Sequence, residues 1–401
     1  MIRINFFLLL ELVCFFLVAN KLYSTPLLSI WSGNKCSKCH INPQGGGIRS
    51  EFGWKFLRDA SQNPIGKDEI KKIYELFDKS EYWGKISFGD TLHEELSSKF
   101  AFGFDLRLQS IRSHKTEVAK RRFFPMESAF YFLIQPSEFF NINGQYNVGP
   151  RVFQGQDNWM LSANFKITDF LPEVQIGKFQ PSFGVRDCDM TRFDRRIASV
   201  DYTSSLFPPD YSEFGLEFSY RKFEWFDFYA GFFDSRFLSY VTIFGDKSIV
   251  VKHNPTFTTK VVIYPQLFED FLTFSFLGTS VLVNGNFLYS STFLALNLFE
   301  RFGVFVEYAH SSLKDTRNTN NYTLKLMYFL SRGIIPFLTF ENGVSRINIT
   351  AKNVWELVNQ SAILGINYFP VPYFELVAEY RFFKSMENKS TRWAFQIHFY
   401  Y

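Results

Sequence analysis

Two thiols and an imidazole stand close together in Cys36-Ser37-Lys38-Cys39-His40. This C-x-x-C-H spacing is that of c-type haem attachment. Two thiols so placed add across the two haem vinyl groups as thioethers, and the adjacent His lies where its imidazole reaches the iron as proximal ligand. The expected cofactor is therefore one haem c, covalently attached through Cys36 and Cys39, with His40 on the metal. A redox dithiol, a disulfide and half of a zinc site are the competing uses of these residues. The sequence has no second C-x-x-C for zinc, and no βαβ pattern surrounds the motif.

The flanking residues extend the reading. After the motif come Ile41-Asn42-Pro43-Gln44-Gly45-Gly46-Gly47-Ile48-Arg49 and then Phe52-Gly53-Trp54-Lys55-Phe56. The glycines let backbone pass close to a flat macrocycle. Pro43 is placed to hold a carbonyl against the His40 ring nitrogen, and Arg49 to pair with a haem propionate. A flexible turn for the glycines and a solvated charge for Arg49 stay open beside these roles. Trp31, Phe52, Trp54 and Phe56 offer apolar cover. His93 is the other His of this region and the leading sixth ligand. A five-coordinate iron, a ligand from the second domain, and a solvated His beside Glu94 and Glu95 are the alternatives.

Something must export and position this group. Arg3 followed by the apolar stretch from Phe6 to Val18, interrupted by Glu11, reads as a signal peptide over 1–24, cleaved before Trp31. Cys14 leaves with it. Asp68 to Lys79 reads as a helix with Ile70, Ile73, Leu76 and Phe77 on one face. A small α-helical, monohaem cytochrome c-like domain is thus expected over 25–98.

Composition points to a different environment for the rest. The chain has 401 residues, 46% hydrophobic and 20% aromatic, with 52 Phe and 20 Tyr, more large rings than one ordinary core needs. Disorder and a disulfide-stapled miniprotein are excluded. A net charge of +4, from 43 Lys and Arg against 39 Asp and Glu, argues against nucleic acid as a partner. Mean hydropathy is only −0.08, and beyond the N-terminus no apolar run has the length of a spanning helix. The rings therefore face lipid in another way. From Lys99 to Gln109, Phe100, Phe102, Phe104, Leu106 and Leu108 alternate with Ala101, Gly103, Asp105, Arg107 and Gln109. Period two with an oily face outside and a polar face inside is the pattern of an outer-membrane β-barrel. Glu213, Glu217, Arg221, Glu375, Glu379 and Arg381 occupy alternate positions that an ordinary sheet would pack with apolar residues.

Counting such segments gives a mainly β fold, a transmembrane antiparallel barrel of about 16 strands over 99–401. The strands are expected at 99–109, 126–135, 138–148, 158–168, 172–180, 212–222, 224–233, 256–264, 271–283, 290–299, 301–309, 322–330, 333–341, 361–369, 372–382 and 391–401. Short turns alternate with longer connections, including 181–211, 234–255, 310–321 and 342–360, which puts the haem domain and Tyr401 on the periplasmic side. The last strand, Trp393, Phe395, Ile397, Phe399 and Tyr401 on its apolar face, ends like the insertion signal of such barrels.

The combination resembles the fused monohaem cytochrome-porins. Cys36, Cys39 and His40 match the haem residues of that family, and Phe52-Gly53 with Lys55-Phe56 resembles the stretch that follows its motif. The resemblance implies electron transfer across the outer membrane. Electrons would pass between an extracellular redox partner, iron among the candidates, and periplasmic carriers, with outer-membrane lipid around the barrel. It implies an electron-transfer protein rather than a conventional enzyme, with iron-oxidase-like activity as the enzymatic form. A second reading is a selective uptake porin whose haem domain only docks a periplasmic partner. In it the segment 181–211, with Arg186, Arg192, Arg195 and Arg196 beside Asp187, Asp189 and Asp194, folds inward as a charged constriction. The favoured reading of that segment is a solvated external loop. A peroxidase-like catalyst finds no distal Arg and His pair near the motif. Cys188 is given no role; His114, His253 and His310 read as loop or rim residues and His398 as lumenal.

Overall fold

The computed structural model describes residues 26–42, 47–50, 52–53, 100–113, 121–148, 157–166, 168, 170–185, 211–236, 238, 242–243, 246–250, 254–265, 271–330, 333–350, 353–371, 373–385 and 388–400. Two short helices come first, α1 (Pro26–Ser32) and α2 (Cys36–Cys39). Strands follow: β1 (Phe100–Ser113), β2 (Arg121–Ser137), β3 (Phe140–Asn147), β4 (Trp159–Phe165), β5 (Glu173–Phe179), β6 (Glu213–Tyr220) and β7 (Phe226–Phe233). A small hairpin, β8 (Thr242–Ile243) with β9 (Asp246–Val250), interrupts the order. The remainder are β10 (Thr256–Ile263), β11 (Leu272–Asn284), β12 (Phe287–Leu298), β13 (Phe302–Leu313), β14 (Arg317–Tyr328), β15 (Ile334–Thr350), β16 (Asn353–Val371), β17 (Phe374–Ser385) and β18 (Asn388–Tyr400). All but β8 and β9 join one closed antiparallel barrel of 16 strands, each strand beside its sequence neighbour and β7 beside β10. The pairing of β1 with β18, in register from Asp105 opposite Tyr400 to Ser113 opposite Arg392, closes it.

Every expected segment is found as a strand, and the reason is visible in β1. Phe100, Phe102 and Phe104 are exposed on the outside, while Gly103, Asp105, Arg107 and Gln109 are buried within. An apolar exterior around a charged interior is how a barrel sits in a bilayer, where no water is present to satisfy a backbone group left unpaired. Phe395, Leu364, Phe340, Phe232 and Phe130 continue the exposed apolar surface on other strands.

Two expectations are corrected. The connections placed at 310–321 and 342–360 are mostly strand: β13 and β14 run on to a turn at 314–316, β15 continues to Thr350 and β16 starts at Asn353. Their Asn, Ser and Thr residues read as loop by composition, yet the ladder continues past the apolar belt. The wall is consequently uneven, with β4 and β5 seven residues long and β16 nineteen. The interior is also less polar than expected. Val262, Phe276, Phe293, Ala295, Met327 and Phe337 point inward and form part of a continuous lumenal apolar patch. The signal peptide, the helix at 68–79, Pro43, His93 and Tyr401 lie outside the described residues.

The outward assignment is tested at Leu364, which is 58% exposed on the outer face of β16. Leu364→Arg is expected to destabilise the folded barrel in bilayers by about 2–4 kcal/mol. The inward Thr339→Ala should stay within about 1 kcal/mol. Urea titration of folding into vesicles reads both, and an equal cost at the two positions would refute the assignment.

Candidate functional site

The C-x-x-C-H turn is built into the barrel at the end where β1 begins. α1 starts at Pro26, whose missing N–H and fixed φ suit a first helical turn, and stops at Gly33, whose φ of +62 is the left-handed conformation glycine tolerates. Asn34 then redirects the chain, its N–H donating to Ser32 Oγ at 3.0 Å and its Nδ2 to the Ser32 carbonyl at 2.9 Å. This seats Ile30, fully buried, on the lumenal apolar patch, with Leu28 packed beside it. Asn297 Nδ2 from β12 donates to the Ile30 carbonyl at 2.8 Å. An apolar patch inside a wet channel would be costly to leave bare, so α1 is a cover with its own binding free energy.

Two anchors then hold the turn from different sides of the wall. Lys35 Nζ donates to Asp227 Oδ1 and to the Phe223 carbonyl, both at 2.8 Å, and lies 4.4 Å from the centroid of the Tyr264 ring. After the motif, His40 bridges to Arg49, and Ile41 N–H donates to the Ile48 carbonyl at 3.1 Å, which sets 40–41 beside 48–49. Ile48 packs against Ala129, Tyr131 and Leu133 of β2. The Arg49 guanidinium lies 4.7 Å from the centroid of the Tyr400 ring on β18.

Within the turn, Cys36 and Cys39 are free thiols on one face of one helical turn. His40 follows with extended backbone, and its Nδ1 is shielded from solvent. Burial is the main cause that raises the Cys36 thiol above its ordinary range, opposed by Lys260 and by a hydrogen bond with Ser29. Burial likewise pushes Cys39 up to about 11, with Cys36 adding to it. Behind the turn, Ser50 Oγ donates to the Lys38 carbonyl at 2.6 Å and accepts from Gly53 N–H at 3.1 Å. A Cβ on Gly53 would lie 2.2 Å from the Cys39 carbonyl oxygen, so only glycine fits there. Gly47, with φ of +66, is also left-handed. Two neighbouring free thiols with a following imidazole, half-buried on a turn held against the barrel wall, are a donor set that fits haem c.

Beside Tyr400 lies a charged cluster on the inner wall. The two ring nitrogens of His398 lie 2.9 Å from Asp105 Oδ1 and 2.9 Å from Glu375 Oε2, with Arg107 Nη2 3.3 Å from the same ring. His398 is lumenal, as expected, and Glu213, Glu217, Glu379 and Arg381 are buried inward with it. His310 sits on the outer face of β13, its Nδ1 2.9 Å from Asn320 Oδ1. His114, His253, Cys188 and the Arg and Asp residues of 186–196 lie outside the described residues.

The segment after β5 departs from a solvated loop over its first residues, 181–185, while 186–210 lie outside the described residues. Its first residues turn into the lumen: Ser182 donates from N–H and Oγ to Glu217, at 2.9 and 2.6 Å. Phe183 stacks on Tyr289 at 4.6 Å between centroids. Gly184 N–H donates to Ser280 Oγ at 2.9 Å, and Lys260 Nζ donates to the Gly184 carbonyl at 2.7 Å. Val185 reaches the same apolar patch as Ile30. Lys35, Asp227 and Tyr400 escaped sequence reasoning, because contacts separated by some 190 residues or more leave no local signal.

The fold is similar to channels of known structure. The outer membrane channel DcaP of Acinetobacter baumannii aligns with a TM-score of 0.52 at 10% identity, over 75% of this chain and 97% of that one. For the high-pH structure of Pseudomonas putida OprB the values are 0.53 and 11%, over 78% and 97%. For Salmonella typhi OmpF in complex with daunomycin they are 0.50 and 10%, over 76% and 98%. No family model and no curated protein matches the chain. The likeness establishes a porin-like barrel fold.

The enclosure of the turn has a readout in haem-free protein. A thiol at about 11 instead of 9.0 holds about a hundredfold less thiolate at pH 8. Alkylation of Cys39 should be slower by that factor and rise about tenfold per pH unit up to pH 10. A rate that bends over near pH 9 and is nearly flat by pH 10, read by mass-resolved labelling, would show the turn open. Gly53→Ala should raise the pH 8 rate by about tenfold or more as the turn is displaced.

Proposed function

We propose that this protein passes electrons across the outer membrane through one haem c, held covalently by Cys36 and Cys39 with His40 on the iron, in the mouth of a porin-like barrel. What carries the reading is the seating of the C-x-x-C-H turn. Lys35 fixes it to β7, Arg49 reaches β18, and Gly53 closes against it, so the donor set is fixed inside the wall rather than hung from a tether. A haem supplies a one-electron couple part of the way through an otherwise insulating layer. The chain's own residues exclude water from the site and hold it in place. Ile30 and Ile48 fill apolar contacts on two parts of the wall, and the Lys35–Asp227 pair, with Asp227 buried, is costly to break on one side only. The end with the short turns is assigned to the periplasm, where soluble carriers meet the motif; the extracellular partner is a redox-active species, iron among the candidates. His93 is assigned as the sixth ligand, Pro43 as the orienting partner of His40, and Arg49 as the propionate partner.

Haem staining of washed outer membranes tests the reading, followed by a membrane-impermeant reductant added to intact cells. A stained band at the full-length mass that is reduced from outside is expected, and Cys36→Ala with Cys39→Ala should abolish the band. Absence of covalent haem from the wild type would leave a porin. His93→Ala should convert a low-spin reduced spectrum to high-spin; unchanged bands would remove His93.

The inward segment 180–185 favours a second reading, a selective porin whose haem domain docks a periplasmic partner. Its contacts narrow the lumen between β6, β11 and β12. Under the electron-transfer reading, planar bilayers should show little steady conductance. Under the porin reading they should show steady, ion-selective conductance that Phe183→Ala increases.

A further inference from the structure

The outer wall of β13–β18 carries a recess of about 800 Å³. Its floor is Ala362, in register with Phe340 on β15 and Phe382 on β17, so a small side chain stands between two exposed rings. Leu324 extends the same row. One step along each strand the lining changes character. Tyr322, Asn342, Gln360, Lys384 and Lys389 form the adjoining row, each opposite the next. The recess therefore spans the edge of the apolar belt, with hydrocarbon-facing residues on one side and hydroxyl, amide and ammonium groups on the other.

The cations are the informative part. Lys384 and Lys389 are exposed and directly opposite on β17 and β18, an unfavourable placement for like charges unless something negative lies between them. Arg112 is a further cation on the outer face of the next strand, β1, level with Trp393 rather than with Lys389. The outer faces of these three strands bear no carboxylate among the described residues, and neither lysine has an ion pair among them. Glu387, in the turn between β17 and β18, lies outside the described residues. Glu356, the outward carboxylate of β16, is already paired with Arg346 at 2.8 Å.

We propose that this recess binds one anionic, phosphate-bearing lipid of the adjoining leaflet, its phosphate between Lys384 and Lys389 and its acyl chains along Leu324, Phe340, Ala362 and Phe382. Two compact ammonium groups suit a phosphate as point charges. The Tyr322 hydroxyl and the Asn342 and Gln360 amides lie at the level where a headgroup offers hydrogen-bonding oxygens. A soluble anion would use the lysines and leave the apolar row idle; a lipid uses both. The site is on the opposite face of the wall from the haem motif and does not rest on its assignment.

The test is native mass spectrometry of the full-length protein released from nanodiscs of equal parts phosphatidylglycerol and phosphatidylcholine. One phosphatidylglycerol should be retained per barrel. Lys384→Gln with Lys389→Gln should lower that preference about thirtyfold. Ala362→Trp, which fills the floor and keeps both lysines, should also lose the bound lipid. Four results would overturn the proposal: equal retention of the two lipids, no change in the lysine variant, displacement by inorganic phosphate alone, or a lysine-dependent change in oligomeric state without bound lipid, which would mark an interface between copies.

Discussion

The pairing of β1 with β18 is the contact on which the rest of the molecule depends. In hydrocarbon an unpaired backbone N–H or carbonyl has no solvent to turn to, so a sheet in lipid must close or not form. Closure joins residues nearly three hundred positions apart, Asp105 with Tyr400 among them. Once the ring is complete, each strand has one face in lipid and one in an enclosed space. The side-chain alternation then has no freedom left, since a slip of one residue would put Arg107 outside and Leu106 inside.

Closure also creates a volume that has to be filled or wetted. The inner face of β10–β17 is apolar over a dozen residues or so, and a water-filled channel would gain nothing from it. Two segments of different origin meet there: Ile30 from the start of the chain and Val185 from the segment after β5. Each covers part of the patch, and each is pinned by polar contacts that the wall supplies, Asn297 to Ile30 and Ser280 to Gly184. The inserted segments thus belong to the folded core of the barrel, and the position of the C-x-x-C-H turn follows from where α1 has to sit.

The strands were legible because the lipid face obeys one rule along every one of them. β1 shows it plainly, from Phe100 to Leu108. Legibility failed where that rule stops applying. Beyond the apolar belt, in Arg317 to Thr323 or Asn353 to Gln360, both faces carry polar residues, so the two-residue rhythm of hydropathy disappears although the hydrogen-bonded ladder does not. The lumenal patch was hidden for the converse reason: in β12, Leu288 and Leu294 face out while Phe287, Phe293 and Ala295 face in, and a run of oily residues such as Phe293 to Leu296 has no period of two. The C-x-x-C-H motif stands out by spacing alone. Its anchors do not, because Asp227 and Tyr400 become neighbours of the motif only after the barrel closes.

Arg49 shows how the inserted turn and the wall complete one another. On the inner wall Asp105 and Glu375 face His398 and Arg107, a cluster supplied wholly by β1, β17 and β18. Arg49 is the charge that the N-terminal segment brings to it, over the Tyr400 ring and close enough to act on Asp105. Without the segment, that end of the lumen would lose a cation beside two buried carboxylates and a cover from an apolar wall. Both losses run the same way, since an enclosed charge and a bare apolar patch are each worst when half satisfied. That mutual dependence is built at both ends of the segment, with Lys35 against Asp227 of β7 and Arg49 over Tyr400 of β18.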